Sequence, residues 1–240
     1  SAPTDDNTVD FHSAAYFLRY SNSLYVVREQ DSDAKNALAQ HSTLNLNVQT
    51  LNSLDAFENV SVDSSDGAFI AKYPGALGNS IKVSVVGPHD DTSGSTNFNL
   101  WAYKDQFDGA PQTSSFASGL SAKNDEIHIA VIDNDGLITG TPNTVLETFP
   151  FLSVAKNAKK ADGTSNYFKD VLKNRSQWVY AGVGHTGDSA GVSDFIGANW
   201  GANAASGVDH KSDFGWTTAQ SDWTMSGGVS SSSLGTDDVL

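Results

Sequence analysis

Ala71-Lys72-Tyr73-Pro74-Gly75-Ala76-Leu77-Gly78-Asn79-Ser80-Ile81-Lys82-Val83-Ser84-Val85 is the stretch whose reading decides the fold. Proline presets φ for the second position of a turn, and the glycine after it supplies the positive φ that the third position of a type II turn needs. Gly78-Asn79 repeats the turn chemistry. Ile81, Val83 and Val85 then alternate with Lys82 and Ser84, which predicts a half-buried strand. A slip of one residue would turn that apolar set to the other face. Pro74, Gly75, Gly78 and Asn79 are therefore read as a structural turn that aims the strand. Gly75→Val is expected to destabilise the protein, and Ser80→Ala to be nearly neutral.

Downstream, residues 98–103 read as another strand. Ile127 to Ile132 is a third, closed by Asp133-Asn134-Asp135-Gly136 and continued by Leu137-Ile138. Asp-Gly between apolar runs is a hairpin signal. Residues 145–152 read as extended. A helix is predicted over 165–177, with Phe168, Val171, Leu172 and Arg175 on one side and caps from Asp162 to Ser165. Trp178-Val179-Tyr180 follows as a strand. Residues 182–213 and the tail around Met225-Ser226-Gly227-Gly228 read as loops.

Upstream, Phe11, Ala14, Ala15 and Leu18 fall at i, i+3, i+4 and i+7, one stripe of a helix capped by Asn7 or Thr8. Leu24 to Arg28 read as a central strand, apolar on both faces. Residues 31–43 are a loop or a short helix, and Leu44, Leu46 and Val48 alternate as a strand would. The pattern as a whole is α+β: a mixed or antiparallel sheet, two main helices and long loops.

Composition narrows the function. Only 38% of the 240 residues are hydrophobic, but twelve Phe, seven Tyr and five Trp supply large units of burial. The net charge of −14 opposes binding to nucleic acid or to an anionic membrane. There is no cysteine, hence no disulfide and no thiolate metal site. No apolar run approaches the roughly 20 residues of a membrane span. The polar start Ser1 to Asp6 does not read as a signal peptide, and the lone methionine is Met225, which suggests a processed chain or a fragment.

Four motifs tempt a catalytic or binding reading. Gly182-Val183-Gly184-His185-Thr186-Gly187 has the spacing of a dinucleotide loop, but Asp188-Ser189-Ala190-Gly191 is a poor start for the helix such a site requires. Gly187 to Gly191 also resembles the nucleophile segment of chymotrypsin-like proteases. That chemistry needs a histidine base oriented by an aspartate, and His12, His41, His89, His128 and His185 stand in no fitting context; His12 and His128 read as surface or half-buried. Asp133 to Gly136 has the start of a calcium loop, but Thr144 stands where the bidentate glutamate belongs. Trp200, Trp216 and Trp223 suggest a sugar platform or, alternatively, anchors of a loop region to the core. No catalytic, cofactor-binding or metal-ligating residue is assigned, and no cofactor.

Asp10-Phe11 through Asn22 to Val26-Val27-Arg28, then Ala71 to Val83 with its Pro-Gly-x-x-Gly-Asn turn, then the hairpin of residues 126–137, the Glu147 segment, Tyr167-Phe168 to Trp178-Val179, and Met225-Ser226-Gly227-Gly228 follow one another in order. In this order they resemble the tail sheath proteins of contractile-tailed bacteriophages. The resemblance implies a structural subunit that polymerises around the tail tube and contracts to drive the tube through the host envelope. Its partners would be other sheath subunits, the tail tube and baseplate proteins, with neither nucleic acid nor membrane insertion. Its place would be the virion tail, after assembly in the host cytoplasm. The chain would be a middle, protease-resistant fragment, of a giant phage such as phiKZ, and monomeric when isolated. Residues 1–30 would flank the sheath core, 31–224 would form an outward-facing domain, and 225–240 would return to the core. The alternative is a carbohydrate-binding or adhesin-type module, which would present a row of exposed tryptophans.

Overall fold

A computed structural model of the chain describes residues 8–25, 33–39, 51–59, 68–88, 96–182, 200–210 and 221–231. Residues 1–31 with 233–240 form one compact unit and residues 32–232 a second. In the first, helix α1 (Thr8–Phe17) forms where the apolar spacing predicts it. None of its residues is buried, and Val9, Phe11, Tyr16 and Phe17 are exposed. Leu24 and Tyr25 are not in a strand, and residues 26–28 lie outside the described residues, as does the alternating stretch 44–48.

The second unit is α+β. Its strands are β1 (Asn36–Ala39), β2 (Phe69–Pro74), β3 (Ile81–Val86), β4 (Glu126–Asp133), β5 (Thr144–Ser153), β6 (Val179–Ala181) and β7 (Ser221–Ser226). Among the described residues they form one seven-stranded sheet in the order β5-β4-β3-β7-β1-β2-β6. Every neighbouring pair is antiparallel. Among the described residues four α-helices accompany it: α2 (Leu54–Asn59), α3 (Thr96–Leu100), α4 (Ser115–Gly119) and α5 (Phe168–Arg175).

The alternation in β3 does what a period of two requires. Ile81, Val83 and Val85 join Ile127, Ile129 and Val131 of β4, Trp223 and Met225 of β7 and Phe69 of β2 on one face. Helix α5 covers that face with Phe168, Val171 and Leu172, and Trp200 packs edge-on against Phe168. On the other face Leu38, Ile70 and Tyr180 meet Leu51 and α2, where the Phe57 and Tyr180 rings stack 4.1 Å apart. Val86, Ala130 and Ile132 meet Trp101 on the same side. Lys72 ties α5 to the sheet: its Nζ donates to the Lys173 and Ser176 carbonyls at the helix C-terminus, where a cation is favoured.

Four expectations are corrected. Residues 98–103 are not a strand but α3 followed by a turn. Phe98 and Trp101 are three apart, so a helical turn puts both rings against one side of the sheet. Residues 36–39 are a strand, β1, although Asn-Ala-Leu-Ala has little strand propensity; its place between β7 and β2 overrides the local preference. Leu137-Ile138 does not extend the hairpin strand, because β4 ends at Asp133 and the connection runs to Thr144. Ser221–Ser226 is a central strand rather than a loop, and it runs through the expected division at 224/225.

Candidate functional site: the junction of two glycine motifs

Pro74 ends β2, and Gly75 precedes a 3-10 helix over Ala76–Ser80 that leads straight into β3. Gly75 has φ 134° and ψ 160°. The positive φ agrees with the sequence reading, but the ψ is not that of a type II turn. It lies in a region open essentially to glycine alone. Ser80, expected to be lightly constrained, is 1% exposed and donates to Asp135 Oδ2 (3.2 Å).

The fold brings this turn onto the Ser226-Gly227-Gly228 motif. Asn79 Nδ2 donates to the Gly228 carbonyl (2.9 Å), and the Gly228 N–H donates to Asn79 Oδ1 (2.8 Å). The Ala76 N–H donates to Ser230 Oγ (3.1 Å). The start of β1 completes the junction. The Lys35 carbonyl accepts from both Gly75 N–H (2.9 Å) and Val229 N–H (3.0 Å), while the Lys35 N–H donates to the Val229 carbonyl (2.9 Å). A Cβ on Gly78 would stand 2.9 Å from Ala37 Cβ and 3.1 Å from Ala71 Cβ. A Cβ on Gly228 would stand 2.5 Å from the Gly75 carbonyl oxygen. Three backbones approach so closely here that only small residues fit.

Asn36 is the member of this junction that the sequence did not disclose. Fully buried, it donates to the Leu51 (2.9 Å) and Ala71 (2.8 Å) carbonyls and accepts from the Leu51 N–H (2.6 Å). The one signal for it was a polar residue beside Ala-Leu-Ala. The junction holds strands together through backbone and side-chain amide hydrogen bonds.

The tempting motifs resolve differently. Of the GxGxxG segment only Gly182 is described; its N–H donates to the Ala68 carbonyl (2.8 Å) and prolongs the β2–β6 pairing. His185 and Ser189 lie outside the described residues. His128, expected at or near the surface, is fully buried. The Phe151 N–H donates to its Nδ1 (2.9 Å), so its Nε2 carries the proton and donates to the Gly109 carbonyl (2.7 Å). Both nitrogens are engaged, and neither is left to act as a base. Asp133 is also buried and accepts from the N–H groups of Gly136 (3.0 Å), Ile138 (3.1 Å) and Thr139 (2.7 Å) and from Thr139 Oγ1 (2.8 Å). Burial opposes its ionisation, but the donors, led by Thr139, outweigh it and hold the carboxyl below its usual range. Its oxygens fix the hairpin connection and are not free for calcium. Trp200 is 1% and Trp223 8% exposed, so neither stands in a surface row for sugars; Trp216 lies outside the described residues.

His128 gives a pH-dependent prediction. Burial, the largest influence, lowers its pKa below the ordinary 6.5, with opposition from hydrogen bonds at Gly109 and Ile127. The folded state favours the neutral ring. The stability this provides is complete above about pH 6.5 and declines as the pH falls below it, until the folded-state pKa is passed. Urea midpoints of the wild type are expected to fall between pH 7.5 and 5.5, with a smaller fall in His128→Gln, whose amide can still donate to Gly109. Equal falls in both proteins would remove His128 as the cause.

Comparison with known proteins adds one relative. The chain is 32% identical over 143 residues, 60% of its length, to the tail sheath protein of Salmonella phage ViI. It covers 19% of that protein, about a fifth of the relative's length. No protein-family model matches the chain.

Proposed function

We propose that the chain is part of a tail sheath protein of a contractile-tailed phage. In this reading it is a structural subunit that polymerises around the tail tube and contracts to drive the tube through the host envelope. The identity to the phage ViI protein carries the reading. A junction built from the two motifs that resemble the sheath family, Pro74 to Asn79 and Ser226 to Gly228, supports it. The outward-facing domain expected over residues 31–224 corresponds in this reading to the 32–232 unit, and the residues on either side belong to the sheath core. The role is mechanical and requires no catalysis. The partners are neighbouring sheath subunits, the tube and the baseplate, in a virion tail assembled in the host cytoplasm.

Electron microscopy of the longer protein that contains this chain tests the proposal, with light scattering of the 240-residue chain beside it. The longer protein is expected to form helical tubes. The isolated chain is expected to stay monomeric at micromolar concentration, its charge of −14 resisting self-association. A longer protein that never assembles would overturn the sheath assignment. A stable oligomer of the isolated chain would place the subunit interface within these residues.

A further inference from the structure

The two ends of the 32–232 unit meet at the Lys35–Val229 pair. Between that pair and the regular β1–β7 pairing at Leu38–Ser226 stands the Gly227-Gly228 dipeptide. It has no side chain to bury. Gly228 instead exchanges both of its backbone hydrogen bonds with the amide of Asn79, which stands in for the peptide group of a neighbouring strand. Val229 is 46% exposed, so little apolar burial holds the exit segment, whereas Ala34 on the entry side is fully buried. A segment secured by hydrogen bonds with little apolar burial is the kind that opens by itself, below the energy of global unfolding.

We propose that residues 228–231 form an exit stem that opens separately from the sheet, and that Asn79 is the latch that holds it shut. The positioning role of Asn79 is mechanical. Tension on the exit segment falls on the Ala76–Ser230 bond, the Lys35–Val229 pair and the Asn79–Gly228 bonds in turn. With the latch released, the exit segment becomes a longer tether while the strands stay paired. The use of such a tether rests on the sheath reading, but its existence does not: the test below is made on the 240-residue chain alone and stands whether or not the longer protein forms tubes.

Native-state hydrogen exchange followed by NMR tests it. In the wild type the amides of Lys35, Gly228 and Val229 are expected to exchange faster than those of β3 and β4. Asn79→Ala is expected to speed these three about thirtyfold, from two hydrogen bonds of about 1 kcal/mol each at tenfold per 1.4 kcal/mol, and to leave β3 and β4 unchanged. Asn79→Asp keeps the oxygen that Gly228 N–H needs and loses the donor, so an intermediate acceleration is expected; it also serves if the alanine variant does not fold. Stem amides that exchange at the rate of β3 and β4 in the wild type, or a latch variant that speeds all amides alike, would overturn the proposal.

Discussion

Trp101→Ala is expected to cost the protein about 4 kcal/mol, within the range of about 3–5 kcal/mol for removing a fully buried tryptophan. Trp101 is 1% exposed and fills the face of the sheet opposite α5, against Val86, Ala130 and Ile132. The Phe107 ring lies 5.0 Å from it and the Tyr103 ring 5.7 Å. Its Nε1 donates to Ser84 Oγ (2.8 Å), and Ser84 donates in turn to Asp222 of β7. Alanine would leave a cavity against β3 and β4 and strip Ser84 of its donor. Trp101→Phe keeps most of the burial and loses only the hydrogen bond and part of the ring, so about 1–2 kcal/mol is expected. Urea unfolding at pH 7 gives both values, as shifts in midpoint at an unchanged slope. A Trp101→Ala midpoint at the wild-type value would show that this face contributes nothing to the core.

The same residue marks where reading by sequence pattern stopped short. Residues 98–103 look like a strand because aromatic and aliphatic residues crowd there. The decisive spacing is the i to i+3 step from Phe98 to Trp101, which is helical, while Leu100 between them is 71% exposed. The strand at Ser221–Ser226 has a legible period: Asp222, Trp223, Thr224 and Met225 alternate polar and apolar, and Trp223 and Met225 are buried. A run of Ser, Gly and Asp around it masked the period. β1 was not legible at all. Ala37 is required by its neighbours, since a larger side chain would meet Gly78 and Gly228, and no local preference of Asn-Ala-Leu-Ala announces that.

Where pattern and tertiary demand coincide, the sequence is enough. β3, β4, β5 and α5 all appear within a few residues of their expected bounds, because apolar residues recur at period two in β3 and β4 and at helical spacing in α5, although the hairpin returns at Thr144 and not at Leu137. For the junction, glycine and asparagine signalled unusual backbone, but nothing in the sequence said that the Pro74 to Asn79 motif and the Gly228 motif, 149 residues apart at Asn79 and Gly228, satisfy one another.

That mutual dependence sets the second large effect. Gly75→Val is expected to cost about 3 kcal/mol, from the backbone strain of about 1–3 kcal/mol that any non-glycine residue meets at φ 134° and ψ 160°, with β-branching adding to it. Relief of that strain requires the Gly75 peptide to turn, and its space is already taken. Its N–H is bonded to the Lys35 carbonyl, and its own carbonyl faces Gly228 so closely that a Cβ there would stand 2.5 Å from the oxygen. Gly228→Ala is therefore expected to cost a similar amount, about 1–3 kcal/mol from overpacking with the Asn79 bonds at further risk. The double variant should cost less than the sum, since either substitution already displaces the contact they share. Leu77→Ala, in the same turn but 51% exposed, is the control and should lie within about 0.5 kcal/mol of wild type. Urea midpoints of the four variants decide the matter. Strict additivity would mean that the two glycines act independently, and a Gly75→Val midpoint equal to that of Leu77→Ala would show that the turn tolerates a side chain after all.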